Sequence, residues 1–177
     1  MQIPHTVTIR PAVSDDALAL AAFAARTFED TFANDNTPED MAAYLAKTYS
    51  EPQQRQEIDD PNGLTLLAEE EGGLIAFAQV RRQAPPSNIG EAPVELRRFY
   101  VDRRYQGRGV AQALMRAAED AARQLGGRTF WLGVWERNLR AIAFYAKCGF
   151  VDTGTQVFVL GSDVQTDRVM VKHLTSD

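Results

Sequence analysis

The sequence RYQGRGVAQAL at residues 104–114 lies where an apolar strand pattern changes to a helical one, and NLRAIAFYAKCGF follows at 138–150. Val110, Leu114 and Leu125 fall on one face of a helix predicted over 109–125, which the glycines at 126 and 127 end. Gly107 and Gly109 let the backbone approach a ligand closely, and the first N–H groups of a helix favour an anion. The pattern therefore predicts a phosphate-binding turn between a strand at 94–101 and this helix.

The residues around this turn distinguish two kinds of phosphate site. Arg103, Arg104 and Arg108 add guanidinium groups that an anion can meet together with the backbone amides. A dinucleotide site needs the pattern G-x-G-x-x-G, but Gln112 stands at the place of the third glycine. A nicotinamide enzyme is therefore disfavoured, while a tight turn without any ligand stays an alternative.

The second stretch contains a polar and a phenolic side chain on one predicted helix, at 138–148. Asn138 and Tyr145 are seven residues apart, which is about two helical turns, so both can face one groove. Each residue also has a purely structural explanation. Asn138 is a good helix cap, Gly149 is a good helix stop, and Tyr145 can be a packed aromatic residue.

The remaining pattern predicts alternating strands and helices without a repeat or a linker. We expect one domain over residues 1–177, since 177 residues with 45% hydrophobic content suit one core. Glu70-Glu71-Gly72-Gly73 predicts a hairpin turn, and residues 84–93 predict a loop. Strands are predicted at 7–10, 64–69, 74–83, 94–101, 129–135, 151–160 and 166–174, and helices from Ser14 to 32, from Thr37 onward, and at 52–59, 109–125 and 138–148. Ser14 and Thr37 are expected to cap the first two helices, with Pro38 at the first position of the second.

Several classes of protein are disfavoured by composition. The apolar stretch at 17–25 has nine residues and follows Asp15 and Asp16, so it resembles neither a signal peptide nor a membrane helix. We therefore expect a soluble, cytoplasmic protein. One cysteine, Cys148, and two histidines give no internal disulfide and make a dedicated metal site improbable.

Charge is distributed unevenly along the chain. Residues 1–96 hold 16 acids and 6 bases, a net charge of −10, whereas residues 97–177 hold 8 acids and 13 bases, a net charge of +5. Such an asymmetry steers charged ligands, and it favours an anion bound by the second half and a cation met by the first. Nucleic-acid binding is disfavoured, because clustered bases would face an acidic half.

These motifs resemble those of the GNAT family of N-acetyltransferases. Residues 104–109 match the family's Q/R-x-x-G-x-G/A pyrophosphate loop, and residues 132–150 resemble its second motif through Asn138, Phe144-Tyr145 and Gly149-Phe150. The resemblance implies an α/β (α+β) fold with a mixed, strongly twisted central sheet of about seven strands and flanking helices. It further implies that the parallel strands 94–101 and 129–135 splay apart to admit acetyl-CoA.

The resemblance also implies which residues bind acetyl-CoA. The main chain of Phe99, Tyr100 and Val101 would hold the pantetheine arm, next to a β-bulge expected where alternation fails at 98–101. Asn138 and Tyr145 would lie near the thioester. The residues assigned to the pyrophosphate are Gln106, Gly107, Arg108, Gly109, Val110 and Ala111, and Lys147 is also assigned to the cosubstrate.

Acetylation of an amine requires the loss of a proton. A primary amine with a pKa of about 10.4 is neutral in only about one molecule in 10³ at pH 7. Glu95, acting through water, is the first candidate for the proton acceptor and Glu136 is the second, although Glu95 could pair with Arg97 and Glu136 could only favour a helix start.

The leaving group needs a proton donor. Tyr145 is the candidate that protonates the departing thiolate, because a phenol with a pKa near 10 can serve this role. Cys148 is interpreted as a small buried side chain, since the family transfers acetyl directly.

The first half of the chain bears on the acceptor. TFEDTF at 27–32 and NTPEDM at 36–41 resemble PaiA-type spermidine/spermine acetyltransferases of the same family. Glu29 and Asp30, together with Asp35, Glu39 and Asp40, could then hold the cationic amines of a polyamine. A peptide or protein amine, an amino acid or an amine drug stays open as the acceptor, and so do a homodimer and an acyl-CoA sensor without turnover.

Overall fold

The computed structural model describes residues 6–175, which form seven strands and five α-helices around one sheet. No helix in this part of the chain combines the length and the apolar character needed to cross a membrane. The elements are β1 (Thr8–Pro11), α1 (Ala17–Phe32), α2 (Pro38–Thr48), α3 (Glu51–Asp59), β2 (Gly63–Glu70), β3 (Gly73–Arg82), β4 (Pro93–Val101), α4 (Val110–Gln124), β5 (Thr129–Trp135), α5 (Leu139–Lys147), β6 (Val151–Leu160) and β7 (Asp163–His173).

The seven strands follow the order β1-β2-β3-β4-β5-β7-β6. All neighbouring pairs are antiparallel except β4 and β5, which are parallel and joined through α4. Strand β7 is inserted between β5 and β6, so the last hairpin folds back against the centre of the sheet. The predicted mixed sheet of about seven strands with flanking helices is confirmed.

Apolar side chains cover both faces of the sheet. On one face, α4 buries Val110, Leu114 and Ala118 in a cluster that also contains Tyr145 and Phe150. On the other face, α1 and α2 bury a second cluster that includes Leu20, Phe28, Met41 and Phe77. The helical spacing of apolar residues in α4 thus produces the packing that the sequence predicts.

Helix starts follow the predicted signals at α2 but not at α1. The Thr37 hydroxyl accepts a hydrogen bond from the Asp40 amide at 3.2 Å, and Pro38 occupies the first turn. Ser14, expected to cap α1, instead donates its hydroxyl to the Asp59 carboxylate of α3. The Asp16 carboxylate accepts the Val13 amide at 2.8 Å, and a 3-10 turn at Ser14–Asp16 precedes the helix.

A β-bulge in β4 changes which side chains face each layer. Gln79 pairs with Arg98 and Val80 pairs with Leu96, so Arg97 is the extra residue. The expected bulge in this strand is present, but it lies one residue before the predicted stretch 98–101. After it, Tyr100 packs on the α1 side and Phe99 packs on the α4 side.

Candidate active site

A cavity of about 710 Å³ opens between β4 and β5. The two strands pair through only three residue pairs, which end at Glu95 and Trp131, although β4 continues to Val101 and β5 to Trp135. Beyond these pairs the strands diverge, and the gap is large enough for a sizeable ligand. The expected splayed parallel pair is confirmed.

The edge of β4 that faces the gap is open. From Leu96 to Val101 it has no strand partner on this side within residues 6–175, whereas its other edge pairs with β3. The side-chain amide of Gln106 donates to the Val101 carbonyl at 3.0 Å and occupies that acceptor. Phe99, Tyr100 and Val101, whose main chain the resemblance assigns to the pantetheine arm, all line the cavity.

The turn after β4 lies at the rim of the cavity. Gly107 and Gly109 have φ values of +76° and +84°, a left-handed conformation that favours glycine. Helix α4 begins directly afterwards, and Gly107 and Ala111 line the cavity. The Val110 side chain is buried in the core, so only its main chain can contact a ligand there.

The predicted cations of this region occupy different places. Arg103 lines the cavity and donates to the main-chain carbonyl of Asp30. Arg108 is exposed, with its guanidinium 5.6 Å from the centre of the Tyr105 ring. Arg104 is bound by Asp102, and Lys147 is exposed on the last turn of α5, outside the cavity wall.

Asp102 connects the turn to α1, a role that we did not predict. Its carboxylate accepts hydrogen bonds from the Arg104 side chain at 2.9 Å, from the Arg104 amide at 3.0 Å and from Arg26 of α1 at 3.0 Å. These donors, Arg104 above all, hold the pKa of Asp102 well below its usual range. The sequence feature that could have indicated this role is an acidic residue directly after the end of a predicted strand.

Tyr145 and Asn138 both line the cavity. Tyr145 packs edge-on against Phe99 and Phe150, with ring centres 6.3 and 5.9 Å away, and burial raises its pKa, so the phenol stays protonated at neutral pH. The Asn138 side-chain oxygen accepts the Ala141 amide at 3.3 Å, so Asn138 caps α5 and also faces the cavity. Cys148 is partly buried and not fully buried as predicted; it packs against the apolar cluster, and burial raises the pKa of its thiol.

The two predicted proton acceptors differ in location. Glu95 lines the cavity, and its carboxylate accepts a hydrogen bond from Arg81 at 2.6 Å. The suggested pairing of Glu95 with Arg97 is wrong, because Arg97 instead lies 3.6 Å from Glu57. Glu136 is exposed after β5 and is not part of the cavity wall.

Among the five acids assigned to a cationic acceptor, Asp30 alone lines the cavity. Glu29, Asp35 and Glu39 are exposed elsewhere. Asp40 accepts the Ser162 amide at 2.8 Å and the Ser162 hydroxyl at 3.0 Å, and it thereby anchors the turn between β6 and β7. A helix surface rich in acids thus brings one carboxylate to the site.

Aromatic rings form much of the wall on the α1 and α2 side. Phe28 stacks on Tyr44 with ring centres 4.7 Å apart, and Phe32 meets Trp135 edge-on at 5.9 Å. Such rings can contact both the alkyl part and the charge of a cationic ligand. The aromatic residues on this side of the cavity are Phe28, Phe32, Tyr44, Tyr49, Tyr100, Trp135 and Phe158.

A further carboxylate in this wall was not predicted. Asp167 of β7 is 7% exposed, lines the cavity and pairs in register with Trp135 and Gln156. Burial raises its pKa to about 6, while a hydrogen bond from Gln156 opposes that shift. Gln165, Asp167 and Val169 are buried at alternate positions of β7. An acidic residue on the buried face of a strand is the sequence feature that could have indicated Asp167.

Charged side chains give the cavity a net positive character. Arg98 is 6% exposed and binds Glu57 and the Gln79 amide oxygen. The cavity contains more guanidinium groups than carboxylates, which suits an anionic ligand in at least one part of it. Its charged lining residues are Arg81, Arg97, Arg98, Arg103 and Arg140, opposed by Asp30, Glu95 and Asp167.

Comparisons with known proteins agree with this geometry. Residues 28–150 match the acetyltransferase (GNAT) family. An uncharacterised N-acetyltransferase of Lactobacillus delbrueckii subsp. lactis is 36% identical over 154 residues, 86% of this chain and 89% of that protein. The spermine/spermidine N(1)-acetyltransferase of Bacillus subtilis is 33% identical over 106 residues, 59% of this chain and 66% of that protein. The crystal structure of the PaiA N-acetyltransferase of Thermoplasma acidophilum in complex with coenzyme A has a TM-score of 0.80 and 24% identity, and the match covers 96% of this chain and 99% of that one.

Proposed function

The chain belongs to the GNAT family of acetyltransferases, and on that premise we propose that it transfers acetyl from acetyl-CoA directly to a primary amine, preferably a polyamine such as spermidine or spermine. The observation that carries the proposal is the gap between β4 and β5, with the glycine turn at its rim and Tyr145 in its wall. The gap joins an anion-binding turn to a buried proton donor.

The residues present fit acetyl-CoA. Its diphosphate would meet the main-chain amides from Gly107 to Ala111, with Arg103 and the exposed Arg108 as nearby cations. Its pantetheine arm would run along the open edge of β4, and the thioester would lie near Asn138 and Tyr145. The bound cosubstrate supplies an activated acyl carbon. The PaiA protein of Thermoplasma acidophilum, crystallised with coenzyme A, supports this arrangement by its fold.

Two proton transfers complete the reaction. The acceptor arrives as an ammonium ion and must lose a proton before its lone pair can attack the acyl carbon. Tyr145, which lines the cavity and is protonated at neutral pH, donates its phenolic proton to the departing sulfur. Glu95 is the proton acceptor that the sequence favours, but it is bound by Arg81.

A polyamine acceptor is supported by the wall on the α1 and α2 side. Asp30, Glu95 and Asp167 provide carboxylates, and the aromatic rings provide surfaces for methylene groups and for ammonium charges. The spermine/spermidine acetyltransferase of Bacillus subtilis is a relative over part of the chain, which supports the same acceptor class.

An amine that also carries a carboxylate, such as an amino acid or a peptide, is the second candidate acceptor. The observation in its favour is the cluster of Arg81, Arg97 and Arg98 against Glu57 and Glu95. Three guanidinium groups facing two carboxylates leave one positive charge beside the acceptor wall, which an acidic acceptor would neutralise.

The acceptor is tested by mixing the purified protein with acetyl-CoA and separate amines while free thiol is followed. We expect the highest kcat/KM with spermidine or spermine, and lower values with a monoamine of equal length, a neutral-tailed peptide, an amino acid and an aminoglycoside. A preference for the amino acid or the peptide would select the second candidate. Binding of acetyl-CoA without thiol release from any amine would instead identify a non-catalytic acyl-CoA sensor.

The same proposal includes one domain over residues 1–177, a cytoplasmic location and a homodimer. The exposed valines of the last hairpin support self-association, since Val157 and Val164 are 70% and 67% exposed beside the sheet edge. Light scattering of the purified protein tests the dimer, and a monomeric mass at micromolar concentration would contradict it.

A further inference from the structure

One carboxylate in the acceptor wall has a role that neither the motifs nor the family resemblance assigns. Asp167 lies on β7, opposite Trp135 of β5 and Gln156 of β6. It faces the cavity, yet within residues 6–175 it forms no ion pair with a lysine or an arginine. A carboxylate that is buried without a cation is costly, so its place in a ligand cavity calls for a functional explanation.

Gly133 makes room for this carboxylate. A Cβ atom at this position would collide with the side-chain nitrogen of Gln156 and would lie 3.1 Å from Oδ2 of Asp167. Without a side chain, Gly133 lets both groups lean over β5, close to where β4 and β5 separate. The Gln156 side chain lies beside the carboxylate, and its hydrogen bond opposes the rise in the pKa of Asp167 that burial causes.

The groups that surround Asp167 leave it available to a cation. Tyr44 of α2 lines the same cavity, and burial is the main cause that raises the pKa of its phenol, with a small contribution from the Asp167 charge. Gln156 contacts it from β6, and Trp135 lies opposite it on β5. Its neighbour Arg168 pairs with Asp152 at 2.8 Å and does not neutralise it. Since no lysine or arginine among the residues that the structure describes pairs with Asp167, its carboxylate can pair with a cationic acceptor.

Glu95, the other candidate, has a different environment. Arg81 binds its carboxylate at 2.6 Å, so a charge-assisted hydrogen bond already occupies one of its oxygens. Asp167 has no such partner, and its burial keeps its pKa at about 6, near the pH at which an intracellular enzyme works. Of the two carboxylates, Asp167 is thus the better proton acceptor.

The geometry points to Asp167 as the group that binds the acceptor ammonium and receives its proton; this inference rests on the proposed acetylation of an amine. The ammonium N–H bond breaks toward the Asp167 carboxylate, and the freed lone pair forms the N–C bond with the acyl carbon. The C–S bond breaks, and Tyr145 donates its proton to the sulfur. The second proton lost by the nitrogen restores the phenol through solvent, and Asp167 returns the first to solvent.

The test is the pH dependence of kcat/KM for the best amine, measured on wild type, Asp167→Asn, Glu95→Gln and the control Asp152→Asn. Asp152 is an acid on the adjacent strand, paired with Arg168 outside the cavity wall. In wild type we expect log kcat/KM to fall by one per pH unit below about pH 6, since the carboxylate must be ionised. Asp167→Asn should lower kcat/KM by about 10²-fold and abolish this inflection. The Kd for acetyl-CoA should stay unchanged, and Asp152→Asn should behave as wild type.

A second variant keeps the inference testable if Asp167→Asn folds poorly. Gln156→Leu removes the hydrogen bond that holds the pKa of Asp167 down, so the inflection should move to higher pH. An inflection that stays in Asp167→Asn, that disappears in Glu95→Gln, or that does not move in Gln156→Leu would overturn the role of Asp167. A wild-type protein that acetylates no amine would instead remove the proposed function itself.

Discussion

The two sides of the cavity are built in different ways. The side proposed for acetyl-CoA comes from one contiguous segment, in which β4 leads into the glycine turn and α4. The side proposed for the acceptor combines residues that are distant in sequence, such as Phe28 of α1, Glu95 of β4 and Asp167 of β7. The first side binds largely through its backbone, whereas the second depends on side chains brought together by strand register.

This difference affects what each side can tolerate and specify. Backbone amides and a helix N-terminus bind a phosphate whatever side chains the helix carries. A short sequence motif is therefore enough to specify such a binding site. A side-chain wall can change its ligand by single substitutions while the sheet is kept, which is how one fold serves many acceptors. Substitutions on the two sides should therefore change different kinetic constants.

The largest expected effect follows from removing the proton donor. Tyr145→Phe keeps the ring that packs on Phe99 and Phe150 but deletes the phenolic hydroxyl. We expect kcat to fall by about 10²-fold, with little change in the Kd for acetyl-CoA or in the ranking of amines. Steady-state kinetics with each amine and calorimetric titration with acetyl-CoA measure these quantities. An unchanged kcat from pH 6 to 9 would exclude Tyr145 as the acid.

An intermediate effect is expected from filling the space over β5. Gly133→Ala adds a Cβ that displaces the Gln156 amide and crowds Asp167. We expect kcat/KM for the amine to fall by about tenfold, because the added Cβ displaces the carboxylate from the position that it has in wild type, while the Kd for acetyl-CoA stays the same. The control is Gly73→Ala in the hairpin turn, where an added Cβ would meet only an ordinary contact at 3.5 Å. Equal losses in both variants would show that the effect is not specific to the acceptor side.

The smallest effect is expected at the exposed cation of the turn. Arg108→Ala removes a guanidinium that stacks on Tyr105 at the surface, so its contribution to a bound diphosphate is screened by solvent. We expect the Kd for acetyl-CoA to rise by about threefold to tenfold, with kcat unchanged at saturation. Arg128→Ala is the matched control, since Arg128 pairs with Glu91 at the surface outside the cavity. An unaltered Kd would contradict the assignment of Arg108 to the diphosphate.

Local signals predicted most elements of the fold. The helix expected over 109–125 is observed at Val110–Gln124, and the strand expected over 129–135 has the same bounds. The sequence did not indicate that β7 lies between β5 and β6, because strand order is set by tertiary packing and not by local pattern. The bulge was placed one residue too late, since the extra residue, Arg97, is recognisable only from its pairing with β3.

The candidate site was predictable where it is contiguous. Gly107, Gly109 and Tyr145 were found because each belongs to a short motif, and the structure brings Gly107 and Tyr145 to the cavity wall. Asp167 was not predicted, because its role depends on its neighbours Gly133 and Gln156. These residues are distant in sequence and come next to Asp167 only through the register of β5, β6 and β7. Most of the acids predicted to hold the acceptor, on α1, on α2 and between them, do not line the cavity. The sequence of an exposed helix surface does not indicate which of its carboxylates faces a cavity.

The arrangement of both ligands is tested most directly by a crystal structure of the protein with coenzyme A and its best amine. We expect the diphosphate on the amides of the glycine turn, the thiol between β4 and β5 beside Tyr145, and the amine nitrogen within hydrogen-bond distance of Asp167. Coenzyme A bound outside the gap between the two strands, or an amine bound beside Glu95 and Arg81 and away from Asp167, would contradict it.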